Sequence, residues 1–146
     1  MKKLRVALLF TLAIFATHRA MAWANFGHGA IAYVAEQHLT PQAKEGCRHY
    51  LKHTLPWYSS WMDFWRAVPP YAHTNMWHGI KSDAKGKLRW DISGERANGQ
   101  AMIQVKRIVD EMQNYKSMPD SLVRQNLIYL IHSVADMHCP VHVGFS

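Results

Sequence analysis

The sequence predicts an all-α fold, and three observations carry that prediction. Apolar residues recur at helical spacing through most of the chain, prolines stand where helices begin or stop, and strand-like alternation is nearly absent. The 146 residues suit one domain rather than two. With 49% hydrophobic and 18% charged residues, a disordered, collagen-like or low-complexity chain is excluded. Two cysteines, Cys47 and Cys139, cannot frame a disulfide scaffold, and there is no internal repeat or linker. Ten histidines are a density that asks for a chemical reason.

The first segment is read as a targeting signal rather than as part of the fold. Met1–Arg5 is basic, Val6–Ala16 is apolar and Ala20-Met21-Ala22 is a small-x-small cleavage pattern, the three-part layout of a secretory signal peptide. A membrane anchor is the alternative, but an apolar run of 11 residues falls short of the ~20 that a span needs. Residues 1–22 are thus expected to be removed on export to the periplasm or the extracellular medium, leaving residues 23–146 as the domain. Cleavage leaves 124 residues, makes Trp23 the N-terminus and lowers the formal charge from +7 to +3. So modest a charge is a weak argument for a nucleic-acid or membrane partner.

The remaining elements follow in order. Phe26–Leu39 carries apolar residues at Ala30, Ile31, Val34, Ala35 and Leu39, a helical stripe. Thr40-Pro41 restarts the chain as an N-cap with proline at the first helical position, and that helix is expected to run to about Leu55-Pro56. A third helix is expected over Trp57–Arg66, stopped by Pro69-Pro70. Pro70–Gly94 reads as a long loop with turn chemistry at Asp83–Gly86. Asn98–Tyr115 is amphipathic, with Ala101, Met102, Val105, Ile108, Val109 and Met112 on one side. Met118-Pro119-Asp120 opens a last helix, which reaches about Met137 before Cys139-Pro140 breaks it.

That last helix holds the first chemical signal. Leu127, Ile128, Leu130, Ile131 and Val134 make it apolar nearly all round, yet His132 and Asp136 stand four apart on one face. A buried carboxylate beside a buried imidazole must be paired or bound to a metal. For the pair alone, a hydrogen bond stabilising the core suffices. His138 and His142 follow within six residues, and three imidazoles with a carboxylate match the preferences of zinc.

Three further groups are weaker signals. Trp23 to His28 would place a free α-amine five residues before a histidine, and an α-amine gives up its proton to a metal near neutral pH more easily than lysine does. His28 alone reads as a surface or cap residue rather than as a ligand. Asp63 and Arg66 lie three apart, which an ordinary ion pair along a helix would explain. Trp57, Trp61 and Trp65 recur every fourth residue, a stripe that belongs to a core more often than to a stacking platform. His78, after Trp77, says little by itself.

Taken together these groups resemble the N-terminal half of the secreted zinc-dependent single-strand-specific nucleases of fungal and plant type, fold relatives of the bacterial zinc-dependent phospholipases C. The resemblance rests on Trp23-x4-His28, Asp63-x2-Arg66, Trp77-His78 and the run His132-x3-Asp136-x-His138-x-Pro140-x-His142-x-Gly144. It implies a helical phospholipase C/nuclease-like domain that binds three zinc ions. Asp63, His78, His132 and Asp136 would hold one zinc. The amine and carbonyl oxygen of Trp23 with His28 would hold a second, Asp136 bridging the two, and His142 would be the first ligand of a third. The activity implied is hydrolysis of single-stranded DNA or RNA to 5′-phosphorylated products, with 3′-nucleotidase activity. A metal-activated hydroxide would attack phosphorus, and Arg66 would neutralise charge on the transition state. Asp63, Arg66 and Asp136 are the catalytic candidates, nucleic acid or nucleotides the partners, and a monomer without stable membrane association the expected state.

Two residues depart from the family pattern. Gly79 follows His78 where the family commonly has an aromatic that stacks on a base, an interaction worth about 1–3 kcal/mol per base. Cys139 stands where Gln is frequent, and it reads as a small buried thiol, with a disulfide to Cys47 left open. The family continues to a His-x3-Asp pair that completes the third zinc. The sequence is therefore expected to be C-terminally truncated, to bind at most two zincs firmly and to be impaired in turnover. A zinc-dependent phospholipase C, or a non-catalytic secreted metal-binding helical protein, is the alternative.

Overall fold

The computed structural model describes residues 23–82 and 101–145, without the side chains of Trp23, Ala24, Ser82 and Phe145. The signal-peptide reading of residues 1–22, the Asp83–Gly86 turn and the helix start at Asn98 lie outside the described residues. The chain opens with a π-helical turn, Trp23–Gly27, that runs directly into α1 (His28–His38). Then follow α2 (Pro41–Leu51), α3 (Leu55–Tyr58), α4 (Trp61–Trp65) and a 3₁₀ segment (Ala72–His78). Strand β1 (Ile80–Ser82), α5 (Ala101–Met112), a 3₁₀ turn (Tyr115–Ser117), α6 (Asp120–Met137), a second 3₁₀ turn (Pro140–His142) and β2 (Val143–Phe145) complete it. The fold is all-α, as expected.

Among the described residues the longest helix is α6, and α1, α2, α3, α4 and α5 all pack against it. One core cluster gathers Ala32, Leu51, Leu55, Tyr58 and Ile128; a second gathers Met62, Trp77, Ile108 and Tyr129. Trp61 packs against both, so α4 joins the two clusters. Each large apolar side chain so buried contributes about 1.5–3 kcal/mol.

Three boundaries differ from the sequence reading, and so does the burial of two apolar stripes. The second helix stops at Leu51 because Lys52 takes a left-handed conformation (φ 67°), which breaks the helix before the Thr54-Leu55-Pro56 restart. The expected Trp57–Arg66 helix splits at Ser59-Ser60, where the Ser59 hydroxyl donates to the Pro56 carbonyl. That split takes Trp57 off the face shared by Trp61 and Trp65. Trp57 and Trp65 are 68% and 43% exposed, so the tryptophan stripe is not a core stripe. The expected loop after Pro70 holds a 3₁₀ segment and β1, which pairs in parallel with β2 in the register Ile80↔Val143, Lys81↔Gly144, Ser82↔Phe145. Finally, Leu127, Leu130 and Ile131 are only partly buried, so α6 is less fully enclosed than its composition suggests.

Candidate metal centre

The centre is built where α6, α1, the 3₁₀ segment after Tyr71 and the turn after Cys139 converge on Asp136. Its carboxylate is 1% exposed and meets imidazoles on both oxygens. Oδ1 lies 2.8 Å from His28 Nε2 and 3.3 Å from His142 Nε2. Oδ2 lies 2.9 Å from His78 Nδ1 and 3.1 Å from His132 Nε2. Burial alone would raise the Asp136 carboxyl, but the imidazoles of His132, His28 and His78 against its oxygens outweigh it and hold the group well below the usual carboxylate range. The carboxylate thus sits among three buried imidazoles, His28, His78 and His132, and the partly exposed His142.

Each ligand candidate is positioned by its own element. His28 is the first residue of α1, and its ring stacks on that of His132 at 4.5 Å. His132 is fully buried, and its Nδ1 donates to the Ser59 carbonyl at 2.6 Å. In the neutral ring that bond places the proton on Nδ1, so that Nε2 carries a lone pair facing Asp136 Oδ2 and, at 3.0 Å, His78 Nδ1. His78 ends the 3₁₀ segment, and its other nitrogen, Nε2, is buried without a hydrogen-bond partner among the described residues. Asp63, from α4, reaches His78 Nδ1 at 3.7 Å through Oδ1, and Arg66 Nη1 lies 3.8 Å from the same oxygen.

This arrangement fits a metal ion. A lone pair on His132 directed at a carboxylate oxygen and at a second imidazole is repulsive unless a cation lies between them. The carbonyl bond on the far nitrogen is the orientation that metal-ligating histidines use. Two groups have ligand atoms within 4.8 Å of one another: His28, Asp63 and His132, and His78, His132 and Asp136. Histidine nitrogens with carboxylate oxygens and no thiolate suit zinc in a catalytic rather than a structural site.

The structure brings together His28, Asp63, His78, His132, Asp136 and His142, with Arg66 at the edge. Trp23 lies in the π-helical turn next to His28; its side chain is outside the described residues. His138 does not join the cluster: it is exposed, and its Nδ1 donates to the Val134 carbonyl one helical turn back. The Ser59 carbonyl was invisible to sequence reasoning, because a main-chain oxygen leaves no residue signature. Cys47 and Cys139 are both free thiols. Burial, helped by Glu36, pushes the Cys47 thiol up, and the buried Cys139 donates its backbone N–H to the Asp136 carbonyl at 2.9 Å.

A family model described as S1/P1 Nuclease matches residues 23–146. Nuclease P1 of Penicillium citrinum and Nuclease PA3 of a Penicillium species are each 25% identical over 128 residues, covering 82% of this chain and 47% of the relative. The chain spans about half the length of the curated relatives it matches.

Proposed function

The chain belongs to the S1/P1 nuclease family, and on that premise we propose that it hydrolyses phosphodiester bonds of single-stranded DNA or RNA with zinc as its metal. The products are 5′-phosphorylated, and 3′-nucleotidase activity accompanies the cleavage. The observation that carries this reading is the Asp136 carboxylate shared by four imidazoles, with the Asp63–Arg66 pair beside it.

Asp63, His78, His132 and Asp136 would hold one zinc; Asp136 would be shared with a second, held by His28 and the amine and carbonyl of Trp23; His142 would serve a third. When bound, zinc lowers the pKa of coordinated water and offers positive charge to phosphoryl oxygens. The residues supply the rest. Asp136, its carboxyl held well below the usual carboxylate range, sets the charge and spacing of the centre. The Ser59 carbonyl holds His132 in one tautomer. Arg66 binds non-bridging phosphate oxygens through its planar fork as charge develops on them, and Asp63 orients it. Export through residues 1–22 and a monomeric enzyme complete the reading. No described helix is long and apolar enough to cross a membrane.

The test is to load the protein with zinc and present a single-stranded oligonucleotide, its duplex and phosphatidylcholine. Preferential cleavage of the single strand is expected, with 5′-phosphate ends by mass spectrometry. Arg66→Met should lower kcat by about 100-fold with zinc content unchanged. Cleavage of phosphatidylcholine alone would favour a phospholipase, and zinc uptake with neither activity a metal-sequestering protein.

A further inference from the structure

The histidines of the metal centre are held in unequal ways. His132 is oriented by the Ser59 carbonyl, and His28 stacks on the His132 ring. His78 differs. It meets the cluster through Nδ1, 2.9 Å from Asp136 Oδ2, while its buried Nε2 has no hydrogen-bond partner among the described residues. Metal-ligating histidines are ordinarily oriented through the second nitrogen. His78 also ends a 3₁₀ segment rather than sitting within an α-helix, so its place depends on what holds the end of that segment.

Trp77, the residue before it, is buried at that end. Its ring meets Tyr129 of α6 edge-to-face at 5.4 Å and His73 edge-on at 5.2 Å. Over the ring lies the Arg107 guanidinium of α5, its Cζ 5.5 Å from the centroid. That guanidinium is itself fixed: Nε donates to Gln104 Oε1 at 2.9 Å and Nη1 to Glu111 Oε1 at 2.5 Å. The other Glu111 oxygen accepts from the buried Asn126 of α6 at 3.2 Å. A chain of polar contacts thus runs from α6 through α5 to the indole. A guanidinium braced on two sides and attracted by the ring's charge distribution limits where the indole can lie. Only one peptide separates Trp77 from His78, and a shift of about 1 Å is enough to loosen a metal site. Resting on the metal-site reading above, we propose that Arg107 is a positioning residue: it clamps Trp77 and so fixes His78 against Asp136.

The experiment titrates metal-stripped protein with cobalt(II), whose visible absorption bands report the geometry of its ligands, and measures affinity by chelator competition. Arg107→Met is expected to weaken cobalt binding by about fivefold, the size of one cation–π contact, and to alter the visible bands. Arg107→Lys, which keeps a cation beside Trp77 and Glu111, should recover most of the affinity. Glu111→Gln, which loosens the brace but leaves the arginine, should move bands and affinity in the same direction by less. Ile128→Val, a packing change in the other apolar cluster, is the control for a merely structural role. It should lower the melting temperature while leaving both readouts as in the wild type. Wild-type bands and affinity in both Arg107→Met and Glu111→Gln overturn the proposal and leave the metal-site reading standing. So does an affinity that falls in step with melting temperature in Ile128→Val as well. A wild-type protein that takes up no cobalt overturns both.

Discussion

At Val123, Ile128 and Tyr129, α6 is buried among side chains of the surrounding helices; at His132 and Asp136 it is buried as deeply, but among imidazoles. Ile128 and Tyr129 are held by packing, each in one of the two apolar clusters. His132 and Asp136 are held by charge and hydrogen bonds, with a lone pair left pointing into the cluster. Burial therefore does different things in the two halves. In the first it stabilises the fold. In the second it costs free energy, since a desolvated carboxylate is expensive unless well partnered, and the compensation is a site prepared for a cation.

The sharpest way to separate the halves is to remove one charge. Asp136→Asn keeps the side-chain shape but deletes the anion, so hydrolysis should fall on the order of 1,000-fold and zinc affinity about 100-fold, measured by steady-state kinetics and chelator competition. A variant retaining more than a tenth of the activity would place the chemistry elsewhere. The reciprocal change is in the apolar half. Leu51→Ala, at a fully buried position, should lower the unfolding free energy by about 2–5 kcal/mol in urea melts. Zinc bound per folded molecule should stay the same.

Smaller effects test how local the packing half is. The Thr40 hydroxyl accepts the Ala43 N–H at 3.2 Å, so Thr40→Ala should cost about 1 kcal/mol in the same melts and leave turnover untouched. Tyr129 should give the smallest shift. Burial raises its phenol above the ordinary value, only partly offset by the hydrogen bond from Gln125. The neutral form is thus favoured in the folded state. Its contribution is fully present below the ordinary tyrosine pKa near ~10 and is lost as pH rises toward the higher folded value. Melting curves above pH ~10 should therefore fall more steeply for the wild type than for Tyr129→Phe.

The same contrast explains what the sequence could and could not tell. Thr40-Pro41 located the start of α2 because capping and proline geometry are local. His132 and Asp136 pointed to one another because four residues is a helical turn. The break at Ser59-Ser60 and the left-handed Lys52 were illegible, since nothing nearby in the chain distinguishes a stop from a continuation. The β1–β2 ladder was hidden for another reason. Each strand has three residues, too few for a period, and the partners are brought together only by the fold. Trp77 and Tyr129 show the limit well: their rings meet edge-to-face at 5.4 Å, a contact no spacing rule anticipates.

The central claim is that the cluster around Asp136 is a cation site and not a core hydrogen-bond network. Thermal unfolding of metal-stripped protein, with and without zinc, tests it most directly, using Asp136→Asn as the comparison. Zinc at about 100 times its dissociation constant should stabilise the wild type by about 2.7 kcal/mol, raising Tm by several degrees, and should leave the variant almost unmoved. A wild-type protein that melts at the same temperature in both conditions, and retains no zinc on dialysis, would contradict the account.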